Sequence, residues 1–288
     1  MLQPSQSIVI GESSQSRGIK INYTASLKNA NAATIVLIHG FGASLETWND
    51  IYSDLTPSYS VIKLDLKGAG FSDKPRDGKY SPLDQAELLL SFLEAMGQKE
   101  VVLAGHSLGG AVALIAHFQS RHRKSNLIVK GLVLIDSAGY IQQLPFFVSG
   151  SRNPFTSALL RIIPAYFKAK YVLNQIITVK SKVTHDRICR YAFFLNHPNV
   201  RYAMQQTALQ IIPNNAENIV AQIASIKIPT LVIWGQNDPV IPLANAYRFH
   251  SEIQNSTIKI LPETGHIPQE ERPKETYLAL EKFLQTLN

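Results

Sequence analysis

Short apolar runs that alternate with helical patterns constrain the fold of this chain more than any other feature. The runs are bounded by Gly, Pro or polar residues and have the length of strands that are buried on both faces; they lie at 34–38, 60–64, 101–104, 131–135 and 230–234. Amphipathic stretches at about 82–97 and 108–122 lie between them. Parallel strands need such crossover helices. The sequence therefore predicts an α/β fold, with a mostly parallel sheet covered by helices on both faces.

Two regions depart from this rhythm. Residues 7–10 and 18–24 alternate between apolar and polar side chains, which predicts an antiparallel hairpin at the edge of the sheet. From about residue 140 to residue 228 the chain is aromatic, basic and interrupted by prolines, which is typical of several short helices. We therefore expect a core domain formed by residues 1–140 and 226–288, and a helical insertion formed by residues 141–225.

Composition excludes several other classes of protein. With 45% hydrophobic and 17% charged residues, the 288-residue chain is neither disordered nor fibrous. Its single cysteine, Cys189, allows no internal disulfide and no cysteine-based zinc site. No run approaches the length of a membrane-spanning helix, and the first residues lack the layout of a secretory signal. We expect a soluble, cytoplasmic protein.

The net charge of +7 does not by itself indicate a partner. The densest basic run, residues 121–124, follows a helical pattern, where cations stabilise the negative end of the helix. The chain has no zinc-finger spacing, no RNA-binding aromatic motif and no Walker loop. We therefore expect no nucleic-acid partner.

The most informative motif is Gly105-His106-Ser107-Leu108-Gly109, which lies between a predicted strand and a predicted helix. A serine at such a junction needs small neighbours, because the chain turns sharply and lifts the hydroxyl clear of the sheet. The free N–H groups at the start of the following helix favour negative charge nearby. These features predict that Ser107 is a nucleophile.

A serine hydroxyl requires a base to become reactive, and we assign that role to His266. It lies in Gly265-His266-Ile267, after an apolar-alternating strand and before the last helix. His39 ends a strand and is expected to hydrogen-bond its loop, and the side chain of His106 is expected to point away from the nucleophile. The remaining histidines lie in helical or basic stretches, where a structural role is expected: His117, His122, His185, His197 and His250.

The base requires a carboxylate, and two aspartates follow buried strands. Asp238 lies in Gly235-Gln236-Asn237-Asp238, and Asp136 ends the run 131–135. We favour Asp238, because it gives the chain order Ser, Asp, His with all three residues on loops at the carboxyl ends of the strands. Asp136 stays open as the alternative.

Acyl transfer also requires hydrogen-bond donors for the oxyanion. The loop His39-Gly40-Phe41-Gly42 follows the run 34–38, and its Phe41 amide is expected to point at the same place as the Leu108 amide behind Ser107. No metal or organic cofactor is required for such chemistry, and we expect none.

Taken together, these segments resemble the α/β-hydrolase superfamily over almost the whole chain, and most closely its capped, serine-nucleophile esterases and lipases. The resemblance implies an eight-stranded sheet and a cap that supplies the substrate pocket. Aspartate-nucleophile dehalogenases and epoxide hydrolases are disfavoured by Ser107. Hydrolases of aromatic ring-fission products typically have Asn before the nucleophile and Trp after the base, where this chain has His106 and Ile267. Proline iminopeptidases carry Trp where this chain has Leu108.

The sequence thus predicts a serine hydrolase of carboxylic esters with apolar acyl or aromatic groups. Candidate pocket residues lie in the cap and beside the catalytic loops: Phe146, Phe147, Phe193, Phe194, Val240 and Ile267. Basic and apolar residues between 151 and 183 are also suited to an anionic membrane surface. The alternatives are a carbon–carbon bond hydrolase, other chemistry of the same triad such as perhydrolysis, and a non-catalytic ligand receptor, because this fold also serves as receptors that keep the triad.

Overall fold

An eight-stranded sheet forms the centre of the protein. The computed structural model describes residues 6–11, 18–28, 33–153, 156 and 162–287. The strands, in sheet order β1-β2-β4-β3-β5-β6-β7-β8, are parallel from β4 to β8, while β2 pairs antiparallel with both β1 and β4. Their bounds are β1 Gln6–Ile10, β2 Ile19–Ser26, β3 Thr34–Ile38, β4 Val61–Leu64, β5 Glu100–His106, β6 Ile128–Ile135, β7 Thr230–Gly235 and β8 Ser256–Leu261. The predicted fold class and edge hairpin are confirmed.

Eleven α-helices lie within the described residues. They are α1 Asn49–Leu55, α2 Pro82–Ala95, α3 Leu108–Ser120, α4 Phe146–Arg152, α5 Ala165–Ile176, α6 His185–Leu195, α7 Val200–Gln210, α8 Ala216–Gln222, α9 Ala244–Glu252, α10 Pro268–Glu271 and α11 Pro273–Gln285. The start of α2 illustrates how local sequence sets the bounds. Ser81 and Asp84 form a reciprocal capping box, and Pro82 occupies the first turn, where its missing N–H costs nothing. In the part of the chain that the structure describes, no helix has the length and apolarity needed to cross a bilayer.

Two apolar layers hold the helices on the sheet, and β3 shows how its sequence supplies both. Ile35 and Leu37 face the layer that contains α1 and α11, whereas Val36 and Ile38 face the layer that contains α2, α3 and α9. Successive strand residues point to opposite faces, so a continuous apolar run is needed when both faces are covered. All five residues of β3 are buried. Because both faces of β3 are covered, its residues form the kind of continuous apolar run from which the sequence predicts a strand.

The segment between β6 and β7 contains α4 to α8 and packs over the carboxyl ends of the strands. Its own apolar cluster includes Leu173 of α5 and Ile188 of α6, and it also takes in Ile267 from the loop after β8. Arg187 of α6 is buried and forms ion pairs with Glu270 at 2.6 Å and with Asp50 at 2.7 Å. These contacts hold residues 141–225 of this segment, called the cap below, directly against the loops that carry the site.

Candidate active site

Ser107 occupies a strained turn between β5 and α3. Its backbone has φ 54° and ψ −120°, a region that residues with a side chain rarely adopt. The turn fits because its neighbours are glycines: a Cβ at Gly105 would collide with the backbone of Gly109, and a Cβ at Gly109 would collide with the carbonyl of Ile38. The Ser107 N–H donates to the carbonyl of Ile135 at 3.0 Å. The surrounding sheet therefore fixes the hydroxyl at the edge where the strands end.

His266 reaches this hydroxyl from the loop between β8 and α10. Its Nε2 lies 3.0 Å from Ser107 Oγ, although 159 residues separate the two along the chain. The imidazole is buried, with 4% of the residue exposed. The geometry allows the hydroxyl to donate to Nε2, which is the arrangement needed for removal of its proton.

Asp238 lies on the other side of the imidazole. Its Oδ2 is 2.8 Å from His266 Nδ1, and its Oδ1 accepts from the amides of Val240 and Ile241 at 2.7 and 3.2 Å. Burial alone would raise the pKa of Asp238, but the positive charge of His266 and these hydrogen bonds outweigh it, so that the pKa is lowered. The ionised carboxylate accepts from Nδ1–H and leaves Nε2 free to accept from Ser107.

Asp136, the alternative carboxylate, is fully buried beside Asp238 at the end of β6. Its Oδ1 accepts from the Gly235 N–H at 3.0 Å, and its backbone has a positive φ of 40°. Burial, and then the negative charge of Asp238, raise its pKa well above the usual value. The structure therefore places Asp238, and not Asp136, against the imidazole, and the raised pKa of Asp136 disfavours a second negative charge beside it.

Oxygen and nitrogen atoms of Asp136, Asp238 and His266 lie within 4.8 Å of one another, a spacing that a metal ion would also accept. A metal requires deprotonated ligands. Here His266 Nδ1 and Asp238 Oδ2 are already paired with each other at 2.8 Å, and the raised pKa of Asp136 disfavours a ligating carboxylate at that position. The arrangement fits orientation of the imidazole by Asp238.

The loop after β3 lies against the Ser107 turn. A Cβ at Gly40 would sit 3.0 Å from the Cβ of Ser107, so only glycine lets the two backbones approach this closely. Phe41, the next residue, and Leu108, the first residue of α3, both line the cavity in front of Ser107. The N–H of a first helical residue has no acceptor within its own helix. Both residues predicted to stabilise an oxyanion thus lie at the site.

Two further histidines support the loops of the site. His39 accepts from the Leu66 N–H through Nε2 at 3.0 Å and contacts the Gly40 carbonyl through Nδ1 at 2.8 Å, which is the loop-bonding role expected of it. His106 differs from expectation, because its ring centroid lies 4.9 Å from that of His266 and its Nε2 lies 2.6 Å from the carbonyl oxygen of His266. Since a carbonyl oxygen only accepts, Nε2–H donates this hydrogen bond, and burial, followed by the nearby charge of His266, lowers the pKa of His106 to about 3.

Two glutamates after His266 tie its loop to the cap. Glu271 Oε1 accepts from the Gly265 N–H at 3.0 Å, and its Oε2 accepts from the amides of Thr178 and Val179 at 2.8 and 3.0 Å. Glu270 pairs with Arg187 and accepts from Tyr191 Oη at 2.6 Å. Nothing in the local sequence distinguished these glutamates from solvated helix residues, so sequence reasoning missed them.

An apolar cavity of about 310 Å³ opens in front of Ser107, between the core and the cap. Of the predicted pocket residues, Phe146, Phe147, Val240 and Ile267 line it. No Asp or Glu is among the described residues that line it, and Lys168 is the single Lys or Arg among them. Such a volume and lining are typical of a site for an uncharged, largely apolar small molecule.

Phe193 and Phe194 do not line this cavity, so the expectation for these two residues is corrected. Both pack against Phe71, with ring centroids 5.9 and 5.3 Å away, and Phe194 is buried there. Their side chains contribute to seating the cap on the loop after β4. Aromatic residues in the cap thus divide between lining the cavity and packing against the core.

Comparison with known proteins places the chain in a family. The family model described as "alpha/beta hydrolase fold" matches residues 33–273, so the protein belongs to this family. The chain is 29% identical over 261 residues to the uncharacterized hydrolase YugF of Bacillus subtilis, covering 89% of this chain and 91% of that protein.

Two relatives of described activity are also similar. Lipase 3 of Moraxella sp. is 28% identical over 263 residues, which cover 90% of this chain and 79% of the lipase. The 2-hydroxy-6-oxo-6-(2'-aminophenyl)hexa-2,4-dienoic acid hydrolase of Metapseudomonas resinovorans is 27% identical over 278 residues, covering 93% of this chain and 88% of that enzyme. The similar proteins thus include both a lipase and a hydrolase of a dienoic acid.

Proposed function

We propose that this protein is a serine hydrolase of carboxylic esters whose acyl or aromatic group is apolar. The observation that carries the proposal is the continuous hydrogen-bonded chain from Ser107 Oγ to His266 Nε2 at 3.0 Å and from His266 Nδ1 to Asp238 Oδ2 at 2.8 Å. Similarity to Lipase 3 supports the same class of reaction.

The reaction proceeds in two steps. Ser107 Oγ attacks the ester carbonyl carbon while its proton passes to His266 Nε2, and the carbonyl electrons move to the oxygen that faces the amides of Phe41 and Leu108. Collapse of this intermediate breaks the bond to the alcohol, which takes the proton from His266, and leaves an acyl-enzyme. Water then repeats the sequence, loses a proton to His266 and releases the acid and free Ser107.

Asp238 acts through the imidazole. Its carboxylate holds the tautomer with the proton on Nδ1 and stabilises the imidazolium that forms during each step. The lowered pKa of Asp238 keeps this charge in place. The raised pKa of Asp136 disfavours a second negative charge beside it.

The lining of the cavity favours an uncharged ester. Acidic ring-fission products carry a carboxylate, and the described lining offers no arginine and a single lysine, Lys168, to receive one. His106 and Ile267 also stand where ring-fission hydrolases typically have Asn and Trp. Carbon–carbon bond hydrolysis remains the second candidate, because a relative with that type of substrate matches most of the chain.

A panel of p-nitrophenyl esters with increasing acyl length tests the proposal. We expect the wild-type protein to release p-nitrophenol from them, and Ser107→Ala to lower kcat by about 10⁴-fold or more. A ring-fission dienoate tested in parallel should be cleaved far more slowly than the best ester. Faster cleavage of the dienoate would replace the proposal with the second candidate. Ester binding without turnover by the wild type would instead indicate a receptor.

A further inference from the structure

The charge of the molecule is concentrated on one of its two parts. The cap, residues 141–225, contains nine Lys and Arg against two acidic residues, whereas the remainder of the chain contains nineteen of each. The whole formal charge of +7 therefore resides in the cap. Among the described basic residues of the cap, Arg187 is buried. The others are exposed or half-buried: Arg152, Lys168, Lys170, Lys180, Lys182, Arg190 and Arg201.

The same part of the molecule exposes large apolar side chains. Phe146 is 62% exposed, Phe167 is 59% exposed, and Ile162, just before α5, is 78% exposed. Tyr171, at 52%, stacks edge-on against Phe146 with their ring centroids 5.9 Å apart. These four side chains and Lys170 are called the aromatic patch below.

The layout of α5 explains how the patch forms. Ala169 and Leu173 point into the cap, so the opposite face of the helix points outward. Phe167 and Tyr171 lie one turn apart on that outward face, and the exposed Lys170 lies beside them. An exposed apolar face flanked by cations is the pattern of a helix that lies in a membrane interface.

The patch also borders the entrance to the cavity. Phe146 and Tyr171 belong both to the patch and to the lining of the cavity in front of Ser107. The remainder of the chain carries no net charge, so a negatively charged surface would attract the cap and not the core. Binding through the cap would orient the cavity entrance toward that surface.

We propose that the aromatic patch docks the protein on an anionic lipid surface, with the cavity entrance facing the lipid. The exposed aliphatic side chain of Ile162 favours a lipid surface over a nucleic acid, which would use the cations and the aromatic rings but gain little from an aliphatic contact. The docking itself is independent of turnover. Delivery of membrane-borne esters to Ser107 rests on the proposed function.

Vesicle co-sedimentation of the full chain tests the docking. We expect binding to vesicles of phosphatidylcholine that contain about a quarter phosphatidylglycerol, weak binding to phosphatidylcholine alone, and release at high salt. Phe167→Ser is expected to weaken binding about tenfold or more, because it removes an inserted aromatic ring. Lys170→Glu is expected to weaken it by at least about fivefold through the lost attraction of one cation.

A matched control lies on α11, outside the cap. Leu278 is 49% exposed and Lys274 is an exposed lysine one turn before it, so Leu278→Ser combined with Lys274→Glu likewise replaces an exposed apolar side chain with Ser and reverses one charge, but outside the patch. The control is expected to bind like the wild type. Binding that does not depend on phosphatidylglycerol, or that falls as far in the control as in the patch variants, would overturn the proposal. Vesicle binding that is lost at high salt but is unchanged by Phe167→Ser would also overturn the proposal.

Hydrolysis of the soluble ester p-nitrophenyl butyrate separates this proposal from the proposed function. None of the substituted side chains lines the cavity, so all variants should hydrolyse that ester at the wild-type rate. If the wild type binds vesicles but cleaves no ester, the docking stands and the proposed function fails. If the wild type cleaves the soluble ester but does not bind anionic vesicles, the proposed function stands and the docking proposal fails.

Discussion

The main-chain N–H of His266 donates to the carbonyl oxygen of Ile176 at 2.8 Å, so the residue beside Ser107 is held by the last residue of a cap helix. Glu271 strengthens this junction by accepting from Gly265 on the core side and from Thr178 and Val179 on the cap side. The position of the base thus depends on contacts with the cap as well as on the sheet.

Glu271→Gln tests this dependence. The amide group can keep one acceptor oxygen but turns its NH₂ toward backbone N–H groups, so we expect the free energy of unfolding to fall by about 1.5–3 kcal/mol. Displacement of His266 should lower kcat for p-nitrophenyl butyrate more than it raises KM. Glu275→Gln, on the exposed surface of α11, serves as the control. Equal kcat values in the wild type and Glu271→Gln would show that the junction does not position the base.

His106 predicts a specific loss of stability in acid. Its pKa is about 3 in the folded protein and about 6.5 when unfolded, so between these values the unfolded chain binds more protons. Stability from this group is therefore full above pH 6.5 and falls as the pH drops, by about 2 kcal/mol at pH 5. His106→Gln retains a donor for the His266 carbonyl without titrating. Denaturant unfolding at pH 7 and pH 5 should show a smaller decrease for this variant, and parallel decreases would contradict the assignment.

The raised pKa of Asp136 makes the free energy of unfolding depend on pH in the opposite direction from that of His106. Its pKa is raised in the folded state, so the folded protein holds a proton that the unfolded chain releases above about pH 4, and stability decreases as the pH rises from there. Asp136→Asn keeps an oxygen for the Gly235 N–H, and Asn tolerates the positive φ. The Tm of the variant should exceed that of the wild type by a margin that widens from pH 4 to pH 7. A margin that narrows over this range would mean that Asp136 is ionised.

We expect Val220, which lines the cavity, to limit the length of the acyl group that fits. It lies on α8 and lines the cavity, so Val220→Phe should fill part of the 310 Å³. We expect kcat/KM for octanoyl and longer p-nitrophenyl esters to fall about tenfold or more, while the acetyl ester changes less than about threefold. Val220→Ala, which enlarges the cavity, is the matched control. A uniform decrease for all chain lengths would show that the acyl group does not reach α8.

The central strands of the sheet were predictable because they are buried on both faces. Runs such as 35–38 are apolar at every position, and this leaves a signal that polar loops do not show. The turn at Ser107 was predictable because Gly105 and Gly109 lie too close to backbone atoms to carry a side chain. The glycines of the motif therefore indicate the turn.

Other features depend on tertiary contacts that the sequence does not record. Asp136 and Asp238 follow the neighbouring strands β6 and β7, so chain order favours Asp238 without excluding Asp136, and only the contact with His266 in the fold separates the two. Phe146 and Phe193 are both cap aromatics, yet one lines the cavity and the other packs on Phe71. Aromatic rings satisfy either environment equally, so composition cannot separate them.

Covalent trapping at Ser107 tests the central claim most directly. Incubation with the organophosphate paraoxon, followed by intact-mass and peptide mass spectrometry, should give a single diethylphosphoryl group on Ser107 and loss of esterase activity in proportion to labelling. His266→Ala should label far more slowly, because the hydroxyl loses the base 3.0 Å from its oxygen. An unlabelled Ser107 in a protein that still hydrolyses esters, or equal labelling rates with and without His266, would contradict the account.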